Sequence, residues 1–170
     1  MREASGAIFN TDAVMSVDEK LLETIKARAG ESPRGRFRFC LHQSTSEPVQ
    51  EMIIAHTRAS YTRPHRQDAS KLYVMIEGEL MVFVFDEQGG ISQRILLRPG
   101  SQPTPCCLRL APGWWHTTFA LSDVAVVCEV LGSSNPDGQA SEYADWAPVE
   151  SDSEAVAAYL RELNVWTDGS

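Results

Sequence analysis

Leu72-Tyr73-Val74-Met75-Ile76-Glu77-Gly78-Glu79-Leu80-Met81-Val82-Phe83-Val84-Phe85 contains two β-prone apolar runs split by Glu77-Gly78-Glu79. The acid-glycine-acid break makes the stretch too short and too polar for a membrane span and leaves two strand-length pieces, 72–77 and 79–85. Asp86-Glu87-Gln88-Gly89-Gly90 then reads as a hairpin loop into a third strand, 91–97, which Pro99-Gly100 ends.

Upstream, Phe37, Phe39 and Leu41 alternate with Arg36, Arg38, Cys40 and His42, the period-two pattern of a half-buried strand. Further strands are predicted at 49–58, 107–110, 116–120 and 124–131. About eight short strands with Gly/Pro turns and no intervening helices predict an all-β antiparallel sandwich or barrel. Ser16-Val17-Asp18-Glu19 has capping-box spacing, and Leu21, Leu22 and Ile25 extend it into a helix over 17–29 ending at Gly30. A polar segment, 133–150, is expected to pack on the barrel through Tyr143 and Trp146. A final helix, 153–164, places Val156, Tyr159, Leu160 and Leu163 on one stripe. The chain therefore divides into an N-terminal helical arm (1–34), a β-barrel (35–132) and a C-terminal loop and helix packed on it (133–170).

The 170 residues are 43% hydrophobic and 22% charged, an ordinary globular composition. A net charge of −8 argues against a nucleic-acid partner, which needs a concentrated basic surface. No membrane partner is expected, and the first fifteen residues lack a charged-then-apolar signal pattern, so a cytoplasmic location is expected. The charge is uneven: Arg34, Arg36, Arg38, Arg58, Arg63, Arg66 and Lys71 cluster between residues 34 and 71, and acids dominate from Asp123 onward. Such a pattern means either internal charge matching or a local anion site. Cys40, Cys106, Cys107 and Cys128 show no Cys-x-x-Cys spacing and read as buried thiols in a reducing compartment. Of the adjacent Cys106 and Cys107, a strand would turn one inward.

Two stretches carry candidate chemistry: Pro64-His65-Arg66-Gln67 with Lys71 and Glu77-Gly78-Glu79, and Pro112-Gly113-Trp114-Trp115-His116. With Arg38-Phe39-Cys40-Leu41-His42, the run 48–55 and Asp145-Trp146-Ala147-Pro148, they resemble the cupins, and among them the small WbuC-type cupin-fold metalloproteins associated with surface-polysaccharide gene clusters. The resemblance implies a jelly-roll barrel, and homodimers are common among such proteins. It also implies a divalent transition metal held by residues at the positions of His65, Gln67, Lys71 and His116. Gln67 and Lys71 stand where the family has a second histidine and a glutamate. A Gln carbonyl is a weaker ligand, and an ammonium repels a metal, so the expected metal set shrinks to His65, Gln67 and His116. Exchanging a glutamate for Lys71 also removes one negative charge and adds a positive one, which favours an anion.

The expected function is binding of a small anionic or sugar-derived ligand inside the barrel by Lys71, Arg66, Arg58 and His42, linked to carbohydrate metabolism. The alternatives are a metal-dependent enzyme using His65, Gln67 and His116, and a metal-free sugar isomerase or epimerase using His65, His116 and Lys71. His56 lies on a predicted strand and is a further candidate. Trp115 is expected on the face opposite His116. No Gly-x-Ser-x-Gly elbow or glycine-rich phosphate loop is present.

Overall fold

The computed structural model describes residues 2–4, 7–100, 103–132 and 141–163. In chain order these form β1 (Arg2–Ala4), β2 (Ala7–Phe9), α1 (Glu19–Glu31), β3 (Arg36–Cys40), β4 (Val49–Thr57), β5 (His65–Arg66), β6 (Lys71–Glu77), β7 (Leu80–Phe85), β8 (Ile91–Leu97), β9 (Cys107–Leu110), β10 (Trp115–Ala120), β11 (Val124–Gly132), β12 (Glu142–Tyr143) and α2 (Ser153–Glu162). Two sheets result, ordered β1-β2-β3-β4-β11-β6-β9 and β12-β5-β10-β7-β8. All described pairings are antiparallel except β2 with β3, which is parallel. This is the expected all-β jelly roll with a helix on each side.

Side chains directly opposite on paired strands share a face. Met75 and Val127 from the first sheet meet Leu80, Val82, Val84 and Leu97 from the second in one buried cluster, which is the closed, apolar half of the barrel. The outer face of the first sheet is also apolar. Phe37, Phe39, Ile53, Ala55 and Val126 pack there against Ile25 and Ala29 of α1. The outer face of the second carries Phe83, Phe85, Trp115 and Phe119 under Ala144, Trp146, Ala147 and the α2 residues Tyr159 and Leu160. Each fully buried Phe contributes roughly 1.5–3 kcal/mol, so the helices are fixed by the faces they cover.

Both helices depart from the sequence reading at their ends. Asp18, not Ser16, caps α1 by accepting from the Leu21 N–H, and the helix runs through Gly30 to Glu31. Asp152 caps α2; Asn164, the expected end, lies outside the described residues, as do 133–140 of the expected loop. The N-terminal arm is more than helical, since Ala7–Phe9 joins the first sheet beside β3. Cys40 is buried, but Cys106 and Cys107 are both exposed. The expectation of an inward thiol fails there because Cys107 begins β9, the edge strand of its sheet. Trp115 does lie opposite His116, in the outer aromatic cluster.

Candidate functional site

Pairing places the two histidine stretches side by side. His116 on β10 is the register partner of His65 on β5, and their ring centroids are 4.5 Å apart. The turn before β10 is tied to the residue that follows β5 as well, because the Gly113 N–H donates to the Gln67 carbonyl at 2.9 Å. Gly113 does so at φ +82°, a backbone conformation that side chains other than glycine's resist. On the opposing sheet, Lys71 and Tyr73 of β6 face inward, with Tyr73 opposite Glu129 of β11.

These inward side chains converge on the Lys71 ammonium. Its Nζ lies 3.2 Å from His116 Nε2, 3.4 Å from His65 Nε2 and 3.4 Å from Glu129 Oε1, and Lys71 is only 4% exposed. The proton positions follow from the other ring nitrogens. His65 Nδ1 is 3.1 Å from the Arg63 carbonyl and His116 Nδ1 is 2.9 Å from the Trp114 carbonyl. A carbonyl only accepts, so each Nδ1 carries the proton and each Nε2 offers a lone pair to Lys71. Burial first, and the Lys71 charge second, push His65 down to about 3 and hold His116 well below its usual value. His56, at the same end of the barrel with its Nδ1 3.3 Å from Ser60 Oγ, is pushed down to about 3 by burial and by Arg36 and Lys71. Burial and the nearby Glu129 carboxylate raise the Tyr73 phenol well above its usual value.

The residues do not fit the divalent cation that the resemblance implies. Lys71 already donates to both imidazoles at the point where they converge. Gln67 turns its amide nitrogen to Ser141 Oγ at 3.1 Å, leaving Oε1 buried without a partner among the described residues. Among the described residues, no group of three or more His, Cys, Asp or Glu is arranged to hold a metal ion.

A cleft of about 840 Å³ opens above this cluster. Its walls include His65, Gln67, Lys71, Tyr73 and Glu129 on the inner side and Arg28, Arg34, Arg36 and Arg38 toward the rim. Of the expected ligand-binding set, only Lys71 lines it. Arg66 lies on the outer surface, 4.4 Å over the Trp115 ring and paired with Glu142 and Glu87. Arg58 is solvent-facing beside Asp123. His42 sits in a separate hollow near Asn10 and Asp12, its Nδ1 accepting from the Glu51 N–H at 3.1 Å. Charge matching accounts for most of the basic run: Arg34 and Arg36 pair with Glu150, Arg63 with Asp145, and Lys71 with Glu129. Arg38 forms no ion pair among the described residues.

Sequence reasoning missed Glu129. A lone carboxylate inside Val124-Ala125-Val126-Val127-Cys128-Glu129-Val130-Leu131 was the available signal, because such a strand position demands a buried cation. It also missed that Arg36 and Arg38 lie on the barrel-facing side of β3.

Residues 17–97 match a domain of unknown function (DUF6016), a span that ends before His116. No curated protein matches the sequence. Among solved structures, the chain is similar to protein SO0799 from Shewanella oneidensis, with a TM-score of 0.55 and 12% identity over 79% of this chain and 86% of that one. It is similar also to an oxalate oxidase in complex with the substrate analogue glycolate, with a TM-score of 0.52 and 17% identity over 82% and 76% of the two chains. A cupin superfamily protein from Desulfitobacterium hafniense DCB-2 is a third neighbour, with a TM-score of 0.46 and 16% identity over 57% and 76%. Together with the two-sheet topology, the likeness to SO0799 and to the oxalate oxidase is one of fold, and this chain has the cupin jelly-roll fold. At these identities the likeness speaks for the fold and not for a shared reaction. Among the described residues, no helix is long and apolar enough to cross a membrane.

Proposed function

We propose that the cleft binds a small sugar acid or related hydroxy-carboxylate, in a role connected with carbohydrate or surface-polysaccharide metabolism. The observation that carries this reading is Arg38, a cleft-lining cation with no ion pair among the described residues, in a protein of net charge −8. A guanidinium in that position favours a planar carboxylate, which it can hold by two parallel hydrogen bonds. Gln67 Oε1, without a partner among the described residues, calls for a donor, which a sugar hydroxyl supplies. The connection to polysaccharide metabolism rests on the WbuC-type resemblance alone. Binding is favoured over turnover by the state of the His65, His116 and Lys71 nitrogens, whose lone pairs and protons already satisfy one another.

Thermal-shift and calorimetric titration with hexuronic acids, with the neutral hexose as control, test the proposal. The acid should stabilise the protein and the neutral sugar should not. Arg38→Ala should weaken acid binding by about 10- to 100-fold, whereas Arg66→Ala, outside the cleft, should leave it unchanged. Acid titrations identical for wild type and Arg38→Ala would reject the assignment.

A further inference from the structure

We infer that the Lys71 ammonium is a tethered replacement for a divalent cation, balanced by Glu129, and that removing it uncovers a latent metal site made of His65, His116 and Glu129. The inference does not depend on which ligand the cleft takes.

An ammonium has three N–H donors. Among the described residues, Lys71 Nζ has three acceptors within 3.4 Å: His65 Nε2, His116 Nε2 and Glu129 Oε1. Donors and acceptors therefore match one for one, and neither imidazole Nε2 has a lone pair left for a metal. The acceptors stand 3.2–3.4 Å from Nζ, the separation of an N–H hydrogen bond. Transition-metal bonds to imidazole and carboxylate are about 2.0–2.2 Å. The ring of acceptors is thus about 1 Å too wide for a metal as it stands, and Lys71 holds it at that width.

The donor set itself is a sound one. Two neutral imidazoles with Nε2 free and Nδ1–H anchored on a carbonyl are already in the tautomer a metal requires. Glu129 adds a hard anionic oxygen from a different sheet. Two histidines and one carboxylate form a common site for a first-row divalent ion with open positions, here facing the cleft. Without the ammonium, Glu129 would be a carboxylate in the barrel interior with no ion-pair partner among the described residues, and a divalent cation answers that charge as well as the two lone pairs. The charge count disfavours such an ion in wild type: a fixed positive charge at the same point repels any second cation.

The test is a Co²⁺ titration, read by visible absorption and by calorimetry, of metal-free wild type, Lys71→Ala, Lys71→Ser and Lys71→Ala/Glu129→Gln. The expected result is stoichiometric binding by the Lys71 variants, about 100-fold or more tighter than any binding by wild type, with the added Glu129→Gln reversing most of the gain. Should the Lys71 variants fail to fold without metal, refolding on addition of Co²⁺ supports the inference and failure to refold contradicts it. Stoichiometric Co²⁺ on wild type that His116→Ala abolishes would overturn it. So would a folded Lys71→Ala that binds Co²⁺ no better than wild type.

Discussion

Lys71 and Glu129 form an ion pair at 3.4 Å inside the barrel, from different positions on neighbouring strands β6 and β11. Both side chains are largely removed from water, at 4% and 13% exposure. A pair so placed is costly to break from either end. Glu129→Gln leaves an ammonium with two neutral acceptors, and Lys71→Met leaves a buried carboxylate. Each should lower the unfolding free energy by about 3–5 kcal/mol. The double variant should lose clearly less than the sum of the two, because no uncompensated charge remains. Urea unfolding of the four proteins gives the coupling energy directly; additive losses would mean that the two groups do not interact in solution.

Acid should destabilise the protein through its buried neutral histidines. His56 faces Arg36 of β3 and Lys71 of β6, with Ser60 as its hydrogen-bond partner, and its folded value of about 3 lies below its ordinary 6.5. Between those two values the unfolded chain binds more protons than the folded one. Stability is therefore full above about pH 6.5 and declines as the pH falls toward 3. His65 follows the same course. Each such group contributes a slope of at most about 1.4 kcal/mol per pH unit. Urea midpoints at pH 7 and pH 5 should differ accordingly, and His56→Asn should flatten the dependence. A variant with an unchanged slope would show that His56 is protonated in the fold or unburied.

Gly78 should be intolerant of any side chain. Its φ of +74° is paired with a tight approach: an added Cβ would stand 2.4 Å from Ser122 Oγ and from the Val124 carbonyl. Gly78→Ala should cost about 2–4 kcal/mol through backbone strain and displacement of that turn. A thermal melt within a degree of wild type would contradict the local geometry.

How far the sequence carried the fold depended on element length. Strands of four to nine residues declared themselves by alternation and turn chemistry, so β3, β4, β6 to β11 and both helices were legible within a residue or two. β1, β2, β5 and β12 have two or three residues each, too few to show a period, and they form because a neighbouring edge is open to them. Alternation on β3 showed that Phe37 and Phe39 differ from Arg36 and Arg38 but not which face is the barrel's. The phenylalanines are buried outside, under α1, and the arginines point in. His65, Lys71 and His116 came together as expected, since two motifs placed them. Glu129 belongs to neither motif, and its role depends on the long-range register of β11 with β6, which composition and spacing do not encode. The same holds for the pairing of Arg34 and Arg36 with Glu150, more than a hundred residues away.

Long-range ¹H–¹⁵N correlation spectra of the imidazole rings at neutral pH test most directly whether Lys71 fills the cation position. The expected result is that His65 and His116 are both neutral, both protonated on Nδ1, and both carry an unprotonated Nε2 that accepts a hydrogen bond, with the pattern unchanged by a chelator. Either ring found as Nε2–H or as the imidazolium, or an Nε2 signal that shifts when chelator strips a bound metal, would contradict the donation from Lys71 on which the site is built.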